Sequence, residues 1–235
     1  MNTHRDLASD QYLETLGLVG DGDDLDLIEA IETAFNLQLT DEPSKWTSVG
    51  DIYEFVLSNA DVEQFTQQQC SSQMAFYDVR NAICELLEKA PGAKIKPDTK
   101  FVDLGLKNLK PLQALLEKTY KLAAPSMELS KIGCLCVFIL AAAAAIWILH
   151  SGFGPGYLFL VFIAGASSLA LLPLRYRGSI GEFSNTLADL NYARYVNKGA
   201  RTNPDRIWQA LCQVIEDSAE ADRHRVGPET LLMIN

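Results

Sequence analysis

The first quarter of this 235-residue chain has almost no basic residues. Residues 1–63 contain fifteen Asp and Glu against only Arg5 and Lys45, a local balance of −13, while the whole chain carries −10. Such a segment repels phosphate groups, so we expect no nucleic-acid binding. The acidic charge suits either a basic protein partner or simply a well-solvated surface.

Histidine and cysteine are also scarce, with three and five copies. They form no cluster with metal-ligand spacing and no nucleophile–base pair, and the sequence has no glycine-rich phosphate loop. We therefore expect no enzyme activity, no cofactor and no metal site. An odd number of scattered cysteines excludes a disulfide framework. Cys134 and Cys136 begin an apolar run, where they are either small apolar residues or acylation sites.

Two 18-residue runs, 132–149 and 157–174, contain no Asp, Glu, Lys or Arg, and a linker rich in Gly and Pro joins them. As helices, each would be about 27 Å long, close to the roughly 30 Å hydrocarbon core of a bilayer. The runs predict a transmembrane hairpin, with a buried hairpin in a soluble protein as the alternative. Lysines and arginines flank the runs and are absent from the linker, so both termini are expected in the cytoplasm.

Elsewhere, apolar residues recur at helical spacing and no segment alternates convincingly, which predicts an all-α protein. Residues 1–10 show no pattern and are expected to be a disordered tail. The expected helices run through Leu25–Phe35, Ile52–Leu57, Gln73–Leu87, Leu109–Leu116, Leu190–Val196 and Ile207–Ile215. The expected helix N-caps are Asp24, Ser48, Asn108, Thr186 and Asn203.

Several short motifs occur twice along the chain, which indicates two related units. The pairs are Ile95-x-Pro-Asp-Thr99 with Val226-x-Pro-Glu-Thr230, Phe101-Val-Asp-Leu-Gly105 with Leu13-Glu-Thr-Leu-Gly17, and Ser48-Val-Gly-Asp51 with Thr186-Leu-Ala-Asp189. The two members of the last pair both have the form of a capping box.

These motifs, in this order, resemble acyl carrier proteins. Asp23-Asp-Leu-Asp-Leu-Ile-Glu29 matches the second-helix signature of carriers at most positions, and the similarity spans nearly all residues outside the apolar runs. The resemblance implies two carrier-like helical bundles joined to a two-helix transmembrane hairpin. That combination resembles bacterial membrane proteins whose function has not been characterised.

The order of the motifs implies that one unit is circularly permuted. Residues 203–235 resemble the first helix of a carrier. We expect them to complete the acidic unit formed by residues 11–62. The two segments would meet within one chain or through a domain-swapped homodimer. The second unit is expected to comprise residues 73–128 and 178–198, with the hairpin inserted between them.

Carriers attach phosphopantetheine to the serine that opens their second helix. Asp24 and Asn108 occupy this position in the two units. Both can cap a helix, but neither has the hydroxyl that a phosphodiester requires. The charge of Asp24 either mimics a phosphate or serves only as a cap.

We therefore expect a non-catalytic, membrane-anchored interaction or scaffold protein, spanning the bacterial inner membrane twice and contacting its lipid bilayer. An acidic helix face would dock a basic cytoplasmic partner. The residues expected on this face are Asp23, Asp24, Asp26, Glu29 and Glu32. The alternatives are a membrane-tethered acyl or peptidyl carrier, and a subunit of a membrane transport or lipid-handling complex.

Overall fold

The computed structural model describes residues 12–18, 22–39, 46–60, 69–88, 94–129, 131–151, 156–169 and 172–233. The helices in these ranges are α1 (Asp23–Phe35), α2 (Val49–Ser58), α3 (Ser71–Leu86), α4 (Lys110–Leu115), α5 (Lys131–His150), α6 (Gly156–Leu169), α7 (Ile180–Leu190), α8 (Tyr192–Asn197) and α9 (Pro204–Ala219). A 3-10 turn, Phe101–Leu104, precedes α4, which continues as a π-helical turn, Leu116–Tyr120. The strands are β1 (Thr15–Leu18), β2 (Glu128–Leu129), β3 (Leu174–Arg175) and β4 (Leu231–Met233). The expected disordered tail, residues 1–10, lies outside the described residues.

The expectation of an all-α protein is wrong, because these strands form two small sheets. β1 pairs with β4 in parallel, and β2 pairs with β3 antiparallel. None of the strands has more than four residues. An alternating pattern is hard to recognise over so short a stretch. In the parallel pair Thr15 lies opposite Leu231, so the partners come from the two ends of the chain.

The predicted transmembrane hairpin is also wrong. Helices α5 and α6 do pack together, but the 14 residues of α6 extend only about 21 Å, well short of a bilayer core of roughly 30 Å. Among the described residues, none of the helices combines the length and the apolar character that a membrane span requires. The predicted membrane anchor and the predicted two-pass localisation in the inner membrane are therefore wrong as well. The prediction counted apolar residues up to Leu174, which instead belongs to β3.

The two ends of the chain meet in the first of two hydrophobic cores. Helix α9 contacts α1 and α2 of the same chain. Ile207 and Leu211 of α9 are buried in this core together with Leu27 and Ile31 of α1. We call residues 12–60 and 203–233 the first unit.

A second hydrophobic core lies mainly between α3 and α7. Val79 and Ile83 of α3 are fully buried there, as are Phe183 and Leu187 of α7. Leu112 of α4 belongs to the same core. We call residues 69–129 and 172–202 the second unit; α5 and α6 form a hairpin between its parts.

The first unit closes where a proline-containing loop lies against the start of α2. The Val49 N–H donates to the carbonyl oxygen of Thr230, and the Gly50 N–H donates to that of Pro228, both at 2.9 Å. The Thr230 hydroxyl oxygen accepts the N–H of Gly227 at 2.9 Å, which shapes the loop.

The second unit closes with the same bonds at the start of α7. The Ile180 N–H donates to the carbonyl oxygen of Thr99 at 2.9 Å, and the Gly181 N–H donates to that of Pro97 at 2.7 Å. The Thr99 hydroxyl oxygen accepts the N–H of Lys96 at 3.2 Å. The two proline motifs therefore make equivalent contacts in the two units.

The capping boxes agree with the sequence in one unit and differ in the other. The predicted box of Ser48 and Asp51 is confirmed. The predicted box beginning at Thr186 is wrong, because this residue lies inside α7, whose capping box is formed by Ser179 and Glu182. The segments 179–182 and 186–189 both have the spacing of a capping box. Only segment 179–182 contains a glycine, Gly181, that contacts the proline loop.

Removing the Asp51 carboxylate should weaken the first unit in a pH-dependent way. The carboxylate accepts the N–H groups of Ser48 and Thr47, both at 2.9 Å, and these bonds hold the pKa of Asp51 below its ordinary value of 3.8. We expect Asp51→Ala to lower the free energy of unfolding by about 1 kcal/mol at pH 7. Because the folded-state pKa is lowered, this contribution is present above 3.8 and is lost as the pH falls through the folded-state pKa.

Urea unfolding of the wild type and Asp51→Ala, from about pH 7 down to about pH 2.5, measures this effect. The difference between the two proteins should shrink on acidification. A difference that is the same at every pH would contradict a role for the ionised carboxylate.

Candidate functional site

Helix α1 separates apolar and acidic side chains onto opposite faces. Leu27, Ile31 and Ala34 are buried in the first core, whereas Asp26 and Glu29 are exposed. This separation follows from the helical repeat, because apolar residues three or four positions apart share one face. The acids at positions 26 and 29 are therefore available to a partner.

Asp26 and Glu29 line a groove of about 280 Å³. Asp217, near the end of α9, contributes a third carboxylate, and Ala30 and Ala123 provide apolar lining. We call this feature the acidic groove. Among the described residues, no ion pair involves Asp26 or Glu29, and no group of side chains is arranged to hold a metal ion.

Glu32, although predicted on the same face, has a structural contact. Its Oε1 accepts the N–H of Leu39 at 2.6 Å, just beyond Asn36, which ends α1 with a left-handed φ of 50°. Glu32 therefore fixes the path of the chain that leaves α1. The side chain of Asp23, the remaining member of the predicted face, lies outside the described residues.

Asp24, at the position of the carrier serine, does not cap α1 as predicted. The N-cap is Gly22, with φ of 122°, and glycine has no side chain that could cap the helix. Asp24 instead lines a cavity of about 470 Å³ whose other lining residues are mostly apolar, including Trp46 and Met233. A carboxylate in the first turn of a helix is favoured by the helix dipole.

Asn108 joins two elements of the second unit. Its Oδ1 accepts the N–H groups of Lys110 and Leu174, both at 3.2 Å. The Leu109 N–H donates to the carbonyl oxygen of Leu174 at 3.0 Å. Leu109, not Asn108, is the N-cap of α4, so the cap prediction is wrong by one residue. Asn108 thus ties β3 to the start of α4.

An ion pair between α7 and α9 was not predicted from the sequence. Arg206 of α9 lies 2.6 Å from the Asp189 carboxylate of α7, and the Asp189 side chain is only 9% exposed. Burial raises the pKa of Asp189 and outweighs the opposing effect of the Arg206 charge. The sequence places Asp189 in the predicted Thr186 capping box and gives no signal for its pairing with Arg206, because the contact exists only once α7 and α9 are packed together.

Comparison of the chain with protein-family models, curated proteins and solved structures finds no match. Its function must therefore be inferred from its own residues. The informative features are the three carboxylates of the acidic groove and the cavity beside Asp24.

Proposed function

We propose that this is a non-catalytic interaction protein whose acidic groove docks a basic segment of a partner protein. The observation that carries the proposal is the convergence of Asp26, Glu29 and Asp217 on one groove. Exposed ion pairs contribute only about 0.2–1 kcal/mol each. Several carboxylates around one concave surface therefore favour partner choice and fast association more than high affinity.

The carrier-like architecture remains part of this proposal. The two units share the same proline-loop contact at Gly50 and Gly181, and the carriers that they resemble present an acidic helix to partner enzymes. A carrier role is less well supported, because Asp24 and Asn108 offer no hydroxyl for phosphopantetheine.

Neutralising the groove should release the partner. The test variant is Asp26→Asn with Glu29→Gln. The matched control, Asp98→Asn with Glu117→Gln, removes the same charge from exposed positions of the second unit. Loss of two exposed pairs, about 0.4–2 kcal/mol together, should weaken binding about 2- to 30-fold.

Tagged full-length proteins can be compared by affinity retention from an extract of the source organism. A basic protein should be retained by the wild type and the control and lost with the groove variant, and raising the salt should release it. Equal retention by all three proteins, at equal unfolding midpoints, would rule out docking in this groove.

A further inference from the structure

The second unit has a cavity in the place equivalent to the Asp24 cavity of the first. The last strand, Leu231–Met233, lines the first cavity, and Lys100–Val102, which follow the equivalent proline motif, line the other. Leu18 and Leu106 also correspond, since each follows a glycine with positive φ (75° and 84°). We call the cavity of the second unit, about 640 Å³ in volume, the basic cavity.

The two cavities carry opposite charge. Among the described residues, Asp24 is the charged residue that lines the first, whereas Lys100, Lys107, Arg175 and Arg177 line the basic cavity together with one carboxylate, Glu128. Glu128 forms an ion pair with Arg177 at 2.9 Å. When the negative charge of Glu128 is subtracted from the four positive charges, the described lining residues keep a net charge of +3.

Most of the remaining lining is apolar and packs against the second core. Phe101 is buried, and its ring packs edge-on against Phe183, with centroids 5.2 Å apart, and against Tyr176 at 6.2 Å. Val102 and Leu129 line the same cavity and are 61% and 38% exposed. Cations and exposed apolar side chains therefore share one concavity.

We infer that the basic cavity binds a single-chain amphiphile with an anionic head group, either a carboxylate or a phosphate. A small polar anion would leave the apolar lining unused, and a neutral apolar ligand would remove cations from water without a partner. An anionic amphiphile satisfies both parts of the lining. The arginines suit either head group, because guanidinium binds carboxylate and phosphate bidentately. The volume lies within the range of about 300–1,000 Å³ typical of small-ligand sites.

The probes for this site are dodecyl phosphate and dodecanoate, added to the full-length protein below their micelle concentrations. Inorganic phosphate serves as the head-group control and dodecanol as the tail control. Calorimetric titration should show saturable binding of at least one anionic amphiphile. Inorganic phosphate and dodecanol should each bind at least about tenfold more weakly.

The site is located with Lys107→Gln combined with Arg175→Gln. The control is Lys118→Gln with Arg201→Gln, which removes the same charge from exposed positions outside the cavity lining. Only the cavity variant should weaken amphiphile binding, by about tenfold. A second variant, Val102→Glu, places a carboxylate at an exposed position of the lining and should do the same without disturbing the core.

Three outcomes would overturn the inference. If inorganic phosphate binds as tightly as the anionic amphiphiles, the cavity is a site for anions alone. If dodecanol binds as tightly as they do, the charge of the head group does not contribute to binding. Unchanged amphiphile binding by the cavity variants would place the ligand on another surface, such as the exposed apolar residues of α5 and α6.

Discussion

Deleting residues 203–235 is expected to unfold α1 and α2 while α3 and α7 stay folded. The deletion removes α9, in which Ile207, Leu211, Val214 and Ile215 are fully buried. Burial of four such side chains contributes about 6–12 kcal/mol. This loss is comparable with the whole stability of a typical domain, about 5–15 kcal/mol. The second core contains no residue of α9.

Hydrogen exchange followed by mass spectrometry of peptides measures this outcome. Peptides from α1 and α2 should lose protection in the truncated chain, and peptides from α3 and α7 should keep it. Adding a synthetic peptide of residues 203–235 should restore protection in α1. Native protection of α1 in the truncated chain alone would show that the first unit does not need α9.

The second large effect is expected from Gly50→Ala and Gly181→Ala. A Cβ at Gly50 would lie 2.8 Å from the Pro228 carbonyl oxygen, and one at Gly181 would lie 2.9 Å from that of Pro97. Each oxygen also accepts the N–H of the same glycine. The loop therefore cannot move away without losing that hydrogen bond. Overpacking together with a lost hydrogen bond should cost about 2–4 kcal/mol in each unit.

The control for these variants is Gly165→Ala in α6. Its new Cβ would lie 3.7 Å from the Ala141 Cβ, an ordinary contact, and alanine is the better helix former by about 1 kcal/mol. Exchange rates should rise in α1, α2 and α9 for Gly50→Ala, and in α3 and α7 for Gly181→Ala. Faster exchange in the same helices for both variants, or no effect in either, would contradict two separately closed units.

Local features of the fold were predictable from the sequence because neighbouring residues determine them. The capping box of Ser48 is confirmed, and so is the start of α9: Asn203 Oδ1 accepts the Arg206 N–H at 2.8 Å, and Pro204 is the first helical residue. The exposed face of Asp26 and Glu29 followed from the helical repeat in the same way.

Features that depend on the whole chain were missed or misjudged. β1 and β4 pair across the two ends of the molecule, and their sequences alone are too short to indicate strands. Asp217 joins the acidic groove only because α9 packs beside α1. The length of the second apolar run gave a wrong prediction of helix length. A run of apolar residues does not show where the helix ends, and the chain leaves α6 before Leu174.

Docking of a basic partner in the acidic groove is tested most directly by site-specific photo-crosslinking. A benzophenone side chain at Thr33, an exposed residue that lines the groove, should form a covalent adduct with a basic protein in an extract of the source organism. The adduct should disappear when Asp26→Asn and Glu29→Gln are added, and should be absent when the probe replaces Glu117 in the second unit. Adducts of equal yield at both positions, or an adduct that survives neutralisation of the groove, would contradict the proposed docking.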